Sequence, residues 1–262
     1  MPTPVRAALL ASWGTAFLQG AARLEESVRA IEADDEPHLV LAAPMADPQE
    51  LADVLEELRA DGLTGLRLAL PVPGDLLGLT GPPALNQAAL AAGEAAIGIG
   101  APTPSAGTAL PALVPDVRVF GSPGDQGYCV TWRLSEASGR HPDVPDLAQA
   151  DRDLVTAMRE TTETLSRVAG SSWASDAGDM ARQLRGSPQP LLLPGGAGPR
   201  AESLAQRALR VSRIVDAART DEGGTLTAHS AAVRSASLGP LERAARRALV
   251  AAVGACHDLA VR

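Results

Sequence analysis

The sequence predicts an α/β (or α+β) protein: N-terminal helices, a small mixed sheet with a βαβ unit and a hairpin, then an α-helical bundle or layer. Three observations predict it. Short apolar runs at 38–44 and 66–70 bracket an amphipathic helix, the pattern of a crossover between parallel strands. Two alternating segments, DVRVF (116–120) and YCVTWRL (128–134), flank the turn-rich GSPGDQG, the pattern of a hairpin. After about residue 145 helical periodicity takes over, which divides the chain into an α/β domain, 1–144, and an all-helical domain, 145–262.

Taken in order, residues 5–33 read as one amphipathic helix or two broken near Gly20. Leu10, Trp13, Phe17, Ala21, Leu24, Val28 and Ile31 keep three- and four-residue spacing. Arg6 followed by AALLASWGTAFL also has the outline of a signal peptide, but the spacing runs past any cleavage point and a helix explains it better. The acidic run Glu32, Asp34, Asp35, Glu36 opposes the dipole of that helix end, so it faces solvent or a basic partner. HLVLAAP (38–44) suits a buried strand. Asp47-Pro48 supplies an N-cap with Pro at the first helical position, and the helix that follows puts Leu51, Val54, Leu55 and Leu58 on one face before Gly62 ends it.

Leu66 to Leu70 is the next strand, and it runs into a loop dense in Gly and Pro. Gly81-Pro82-Pro83 then launches the helix ALNQAALAAGEAA (84–96), and APTPSAGTALPALVP (101–115) reads as a mobile loop or a cover over the sheet. In the hairpin, Tyr128, Val130, Trp132 and Leu134 share one face; with Phe120, three of the chain's six aromatics lie there. They mark a binding surface or, more simply, fill the core. Asp146 caps a helix to Val168 with Leu147, Leu154, Met158, Leu165 and Val168 inside, and Gly170 stops it. A shorter helix over 171–186, a loop over 187–200, a helix from Pro199 to Arg219, one over 226–237 and a last from Pro240 complete the chain.

Composition narrows the function. Hydrophobic residues make up 45% of 262 and aromatics 2%, so the core is built from Ala, Leu and Val and depends on close element-to-element approach. All 23 basic residues are Arg. Residues 1–194 carry 13 Arg against 25 acids, net −12, and residues 195–262 carry 10 against 6, net +4. The two parts can attract each other within a chain or between chains. An overall charge of −8 argues against a general nucleic-acid binder, no apolar run reaches membrane-spanning length, and two cysteines without a C-x-x-C fit a reducing cytoplasm. Cys256 shares an apolar stripe with Leu249 and Ala252 and reads as buried.

Tests for chemistry return little. G-x-S-x-G and H-E-x-x-H are absent, and His38, His141, His229 and His257 lack ligand spacing, so no metal and no cofactor is expected. His38 and His141 read as ordinary surface or boundary residues. Gly195–Gly198 runs into a helix as a phosphate cradle would, but lacks the Lys-Ser/Thr of a Walker loop and reads as a joint. The loop 71–87 follows the carboxyl end of a strand and leads into a helix, where open α/β sheets bind ligands. Arg67, Asp75, Thr80, Asn86 and Gln87 are its polar candidates, and Arg118 joins Arg67 as a candidate partner for an anionic group; a packed structural turn is the alternative. Arg200, Arg207 and Arg210 form one basic cluster and Arg243, Arg246 and Arg247 another, for an acidic partner, for nucleic acid or simply as solvated helix faces.

The segments RALRVSRIVDAAR (207–219) and GPLERAARRALVAA (239–252), with the ASWGTAFLQG opening, resemble conserved hypothetical proteins of actinobacteria. That resemblance implies no assigned activity, cofactor or site residue.

Three functional expectations follow, in rank order. The first is a soluble cytoplasmic interaction or regulatory protein without a catalytic apparatus, self-associating as a homo-oligomer (a dimer) through its first and last helices, or binding a protein partner. The second is a small-molecule-binding protein or enzyme using the loop 71–87. The third is a DNA-binding regulator using the C-terminal arginines, which the net charge disfavours.

Overall fold

A computed structural model of the chain describes residues 6–42, 46–100, 109–122, 124–138, 144–164, 191–220 and 228–257. It divides into two compact units. One comprises Pro4–Val144, Leu192–Gly198 and Val253–Arg262; the other comprises Met1–Thr3, Pro145–Leu191 and Pro199–Ala252.

The first unit is a mixed sheet with helices on both faces. Its elements are α1 (Arg6–Leu18), α2 (Leu24–Glu32), β1 (Leu39–Leu41), β2 (Gln49–Glu50), α3 (Leu51–Ala60), β3 (Leu63–Ala69), α4 (Pro83–Ala92), β4 (Ala95–Gly100), β5 (Ala109–Ser122) and β6 (Asp125–Ser138). The strand order is β2-β1-β6-β5-β4-β3. Only β1 and β6 run parallel; every other pair is antiparallel.

The N-terminal helical stretch breaks after Leu18, with Gly20 at φ 75°. α1 is apolar nearly all round and accordingly buried nearly all round. It lies against β3 so closely that a Cβ at Gly14 would stand 2.7 Å from Leu66 Cδ1. Thr15 makes the seam polar: the Leu66 N–H donates to its Oγ1 at 2.9 Å, and that hydroxyl lies 2.6 Å from the Ala11 carbonyl. α3 buries Leu51, Val54, Leu55 and Leu58, the face its periodicity specifies, but it is capped at Glu50 because Gln49–Glu50 pair with β1.

Several expectations need correction. The succession strand, helix, strand is present, but β1 and β3 are not parallel neighbours; β6, β5 and β4 lie between them, and β1 takes its parallel partner from the hairpin. Residues 95 and 96 open the strand β4 and are not helix tail, since Gly93 adopts the left-handed C-cap (φ 82°) that closes α4. Of the segment 101–115, residues 109–115 belong to β5, and residues 101–108 lie outside the described residues. The hairpin arms are therefore 14 residues each, in unbroken register from Ala109↔Ser138 to Ser122↔Asp125. Trp132 is fully buried, as the core reading of the hairpin aromatics requires, while Phe120 is 45% exposed.

The second unit holds a helix α5 over 147–164, α6 (Pro199–Thr220) and α7 (Ala228–Gly254). The Asp146 carboxylate accepts the Gln149 N–H, the expected cap. α5 buries Ala150, Leu154, Ala157 and Thr161, whereas Met158 is exposed; Leu165, Val168 and the segment 171–186 lie outside the described residues. Pro240 does not start a helix but sits inside α7. It is tolerated there because Pro240 and Ala236, whose carbonyl it leaves unbonded, are exposed, and the Thr161 hydroxyl donates to the Ser237 carbonyl. Two members of the first arginine cluster are used internally, Arg207 and Arg200 both meeting Asp151, at 2.8 and 3.6 Å, while Arg210 is exposed. In the second cluster Arg246 is buried and Arg243 exposed, so the three arginines form no common solvated face.

Candidate functional site

Two polar centres lie inside the α/β unit, and they differ in how completely their hydrogen bonds are made. The first was not legible as a site. Arg6 opens α1 and grips Asp35 through two bonds, Nε to Oδ2 at 2.6 Å and Nη2 to Oδ1 at 2.8 Å, with its guanidinium 4.8 Å from the Tyr128 ring centroid. Asp35 also meets His38 Nε2 at 3.4 Å, and Trp132 Nε1 donates to His38 Nδ1 at 3.2 Å. That donor fixes the neutral tautomer with its proton on Nε2, directed at Asp35. His38 is therefore a buried core residue and not a surface or boundary one. Beside this chain the buried Glu94 accepts the Ala7 N–H at 3.0 Å, capping α1.

Burial pushes the Glu94 carboxyl up to about 7, against the pull of the Ala7 bond and of Arg6. Burial would also lift Asp35, but the hydrogen bonds from His38 and Arg6 outweigh it and hold that carboxyl below its ordinary range. Every heteroatom named here has a partner, which makes the network a ligature of the fold.

The second centre is the one the loop 71–87 pointed to, and it is incomplete. Arg67 is in register with Ile97, so its side chain leaves β3 on the face covered by α4, beside a cluster that includes Ala69, Leu79, Leu85, Ile97 and Ala112. It is only 9% exposed. Its Nη2 donates to Thr80 Oγ1 at 3.1 Å, its Nε has no partner, and among the described residues no carboxylate comes within 4.0 Å of it. Burial lowers its pKa, and a guanidinium stays charged inside proteins.

The surroundings are rigid. Thr80 Oγ1 donates to the Ser138 carbonyl at 3.0 Å, Ser138 Oγ donates to the Thr80 carbonyl at 2.6 Å, and the Ser138 N–H reaches the Gly81 carbonyl. Asn86 Oδ1 accepts the Gly81 N–H, so Asn86 pins the loop to the head of α4. Gly78 (φ 87°) must be glycine: a Cβ there would lie 2.8 Å from the Ala69 Cα.

Of the six residues singled out from the sequence, Arg67, Thr80 and Asn86 come together. Asp75 closes a separate tight turn through paired bonds with Val72, and Gln87 is exposed. Arg118 stands apart. It is six residues further along β5 than Ala112, the register partner of Ile97, about 20 Å away. Ser138 and the burial of Arg67 had no sequence signal, because both depend on the distant end of β6 reaching this loop. Among the described residues no group of three His, Cys, Asp or Glu side chains could hold a metal ion.

Fold and site together define a protein of one α/β and one helical unit, the first burying an arginine that has no carboxylate partner among the described residues. The chain belongs to the Rv1486c-like protein family: the description "Rv1486c-like protein, N-terminal domain" matches residues 7–149 and "Rv1486c-like protein, C-terminal domain" matches residues 148–250. It is 30% identical over 198 residues to a Mycobacterium avium protein named Uncharacterized protein MAV321, a match covering 65% of this chain and 64% of that relative. The chain thus spans about two thirds of that relative's length. These likenesses fit the actinobacterial resemblance of the helices and the N-terminal segment. No solved structure matches.

Proposed function

We propose that this protein binds a small anion, a carboxylate or a phosphate group, at Arg67. The observation that carries the reading is a guanidinium more than nine-tenths buried with one hydrogen bond and no counter-charge among the described residues. Arginine is rarely buried without a partner, because desolvating a lone charge costs several kcal/mol. A carboxylate or phosphate presents the paired oxygens that a guanidinium fork takes up. This moves ligand binding ahead of the interaction reading that the sequence ranks first. Two cysteines, Cys129 exposed and Cys256 buried, are too few for a disulfide framework and support a reducing, cytoplasmic setting for such a protein. Among the described residues no helix is long and apolar enough to cross a membrane.

The test pairs thermal unfolding with titration calorimetry, using citrate, inorganic phosphate and adenosine monophosphate against an uncharged polyol. At least one anion is expected to raise the melting temperature of the wild-type protein and to leave Arg67→Met unmoved. Arg67→Met itself is expected to stabilise the ligand-free protein by about 1–3 kcal/mol, since it removes a buried unpaired charge. A destabilised Arg67→Met with no anion response in the wild type would make Arg67 a structural residue. A second reading, an interaction protein that self-associates, is favoured by a different feature, the outer end of β5, where Val119 and Phe120 are exposed.

A further inference from the structure

We propose, building on the anion reading of Arg67, that its ligand is the dianion of a small phosphate monoester, held between the guanidinium and the free amides at the head of α4. That head lacks the groups that ordinarily complete a helix start. Its N-cap, Pro82, makes no side-chain cap bond, and no acid stands in the first turn, where a carboxylate would be most favourable. Pro82 and Pro83 carry no N–H, so the orphan donors are the amides of Ala84 and Leu85. Neither has an acceptor among the described residues. The first helical bond runs from the Asn86 N–H to the Pro82 carbonyl, and the Gly81 carbonyl is taken by the Ser138 N–H. The Asn86 side chain, an acceptor in this turn, is turned back to the Gly81 N–H.

The topology brings Arg67 to the same place. α4 closes at Gly93, beside the start of β4, so its head lies towards the far end of that strand, where Ser138 meets Thr80 and Gly81. Arg67 springs from the middle of β3, opposite Ile97, and its Nη2 extends to Thr80, two residues before the N-cap. A guanidinium that is 9% exposed is thus directed to the positive pole of a helix. Two like potentials converge with no carboxylate among the described residues to offset them, an arrangement that an anion between them relieves.

The arrangement of the donors selects the class of anion. A carboxylate has two coplanar oxygens, which one edge of a guanidinium already satisfies. Donors from a second element call for further oxygens. A phosphate monoester supplies three, with close to two negative charges at neutral pH, and free amides at a helix start are suited to phosphate. A phosphate diester has one such oxygen and one charge fewer, so it matches the paired sources of positive potential less well.

Titration calorimetry with methyl phosphate, dimethyl phosphate and acetate tests this on the full chain; circular dichroism checks each variant's fold. Methyl phosphate is expected to bind about tenfold or more tighter than either of the others, and Arg67→Met to abolish its binding. Ala84 is exposed, so the site tolerates a new side chain. Ala84→Asp places the missing carboxylate at the head of α4. It should raise the melting temperature of the ligand-free protein and weaken methyl phosphate binding about tenfold. Ala84→Asn, of the same shape without the charge, should change that affinity by no more than about twofold. Acetate bound as tightly as methyl phosphate, lost in Arg67→Met but indifferent to Ala84→Asp, would keep an anion at Arg67 and overturn the monoester. Preference for dimethyl phosphate would overturn it too. A wild-type protein that binds none of the three would remove the anion reading together with it.

Discussion

At the scale of the residue, Glu94 carries a pH dependence whose sign is fixed by its surroundings. Its folded-state carboxyl titrates at about 7 against an ordinary 4.5, because burial disfavours the charged form more than Ala7 and Arg6 favour it. The folded chain therefore holds a proton that the unfolded chain has already lost between these values. Stability falls as pH rises through that window, by about 3 kcal/mol in all for this group. Asp35 acts the other way and lower: its depressed carboxyl contributes stability that is lost as pH drops below its ordinary range. Urea unfolding from pH 5 to pH 8 should show wild-type stability declining, and Glu94→Gln, which keeps an acceptor for the Ala7 N–H, should flatten the decline. A profile unchanged by Glu94→Gln would assign the decline to other groups. None of this was legible beforehand. Glu94 lies in a stretch, GEAA, whose composition reads as the tail of a helix, and its burial comes from α1, far upstream.

At the scale of the element, legibility followed the strength of local patterning. The apolar stripe of α3 and the alternation of the hairpin are properties of contiguous residues, and both elements form where the pattern puts them. β4 reads AAIGIG, residues of weak strand preference, and is a strand because β3 pairs along its whole length. The parallel pairing of β1 with β6 joins segments far apart in sequence and leaves no local trace. The seam between α1 and β3 shows what such non-local contacts are worth. Thr15 Oγ1 accepts the buried Leu66 N–H, a donor that the β3–β4 ladder does not use. Thr15→Val keeps the shape and removes that acceptor, so it should cost about 1–3 kcal/mol in chemical denaturation, the price of a buried orphan donor. Thr15→Ser restores the acceptor and should recover most of the loss. A loss in Thr15→Ser with none in Thr15→Val would point to packing of the Thr15 methyl instead.

At the scale of the whole molecule, the composition break near residue 145 does not coincide with everything the α/β unit contains. That unit also takes in Leu192–Gly198 and Val253–Arg262. The hydrogen bonds show why: Trp13 Nε1 donates to the Leu192 carbonyl at 2.8 Å, Gln19 Nε2 donates to the His257 carbonyl at 2.8 Å, and His257 Nε2 lies 2.8 Å from the Leu66 carbonyl. A glycine-rich joint and a chain end that looked helical or incidental in sequence are thus built into the sheet's first helix and its edge strand. A fragment ending at Val144 keeps all six strands but strands these partners, exposing an indole donor on α1 and the Leu66 carbonyl beside it. It should unfold at lower denaturant and with a shallower transition than the same unit within the full chain, and its β3 amides should exchange faster. If the fragment matched the full chain in both slope and exchange, the two late segments would be passengers on the sheet. If it fails as expected, the α/β unit is an assembly of three stretches of sequence, and the anion binding proposed at Arg67 has to be measured on the full chain.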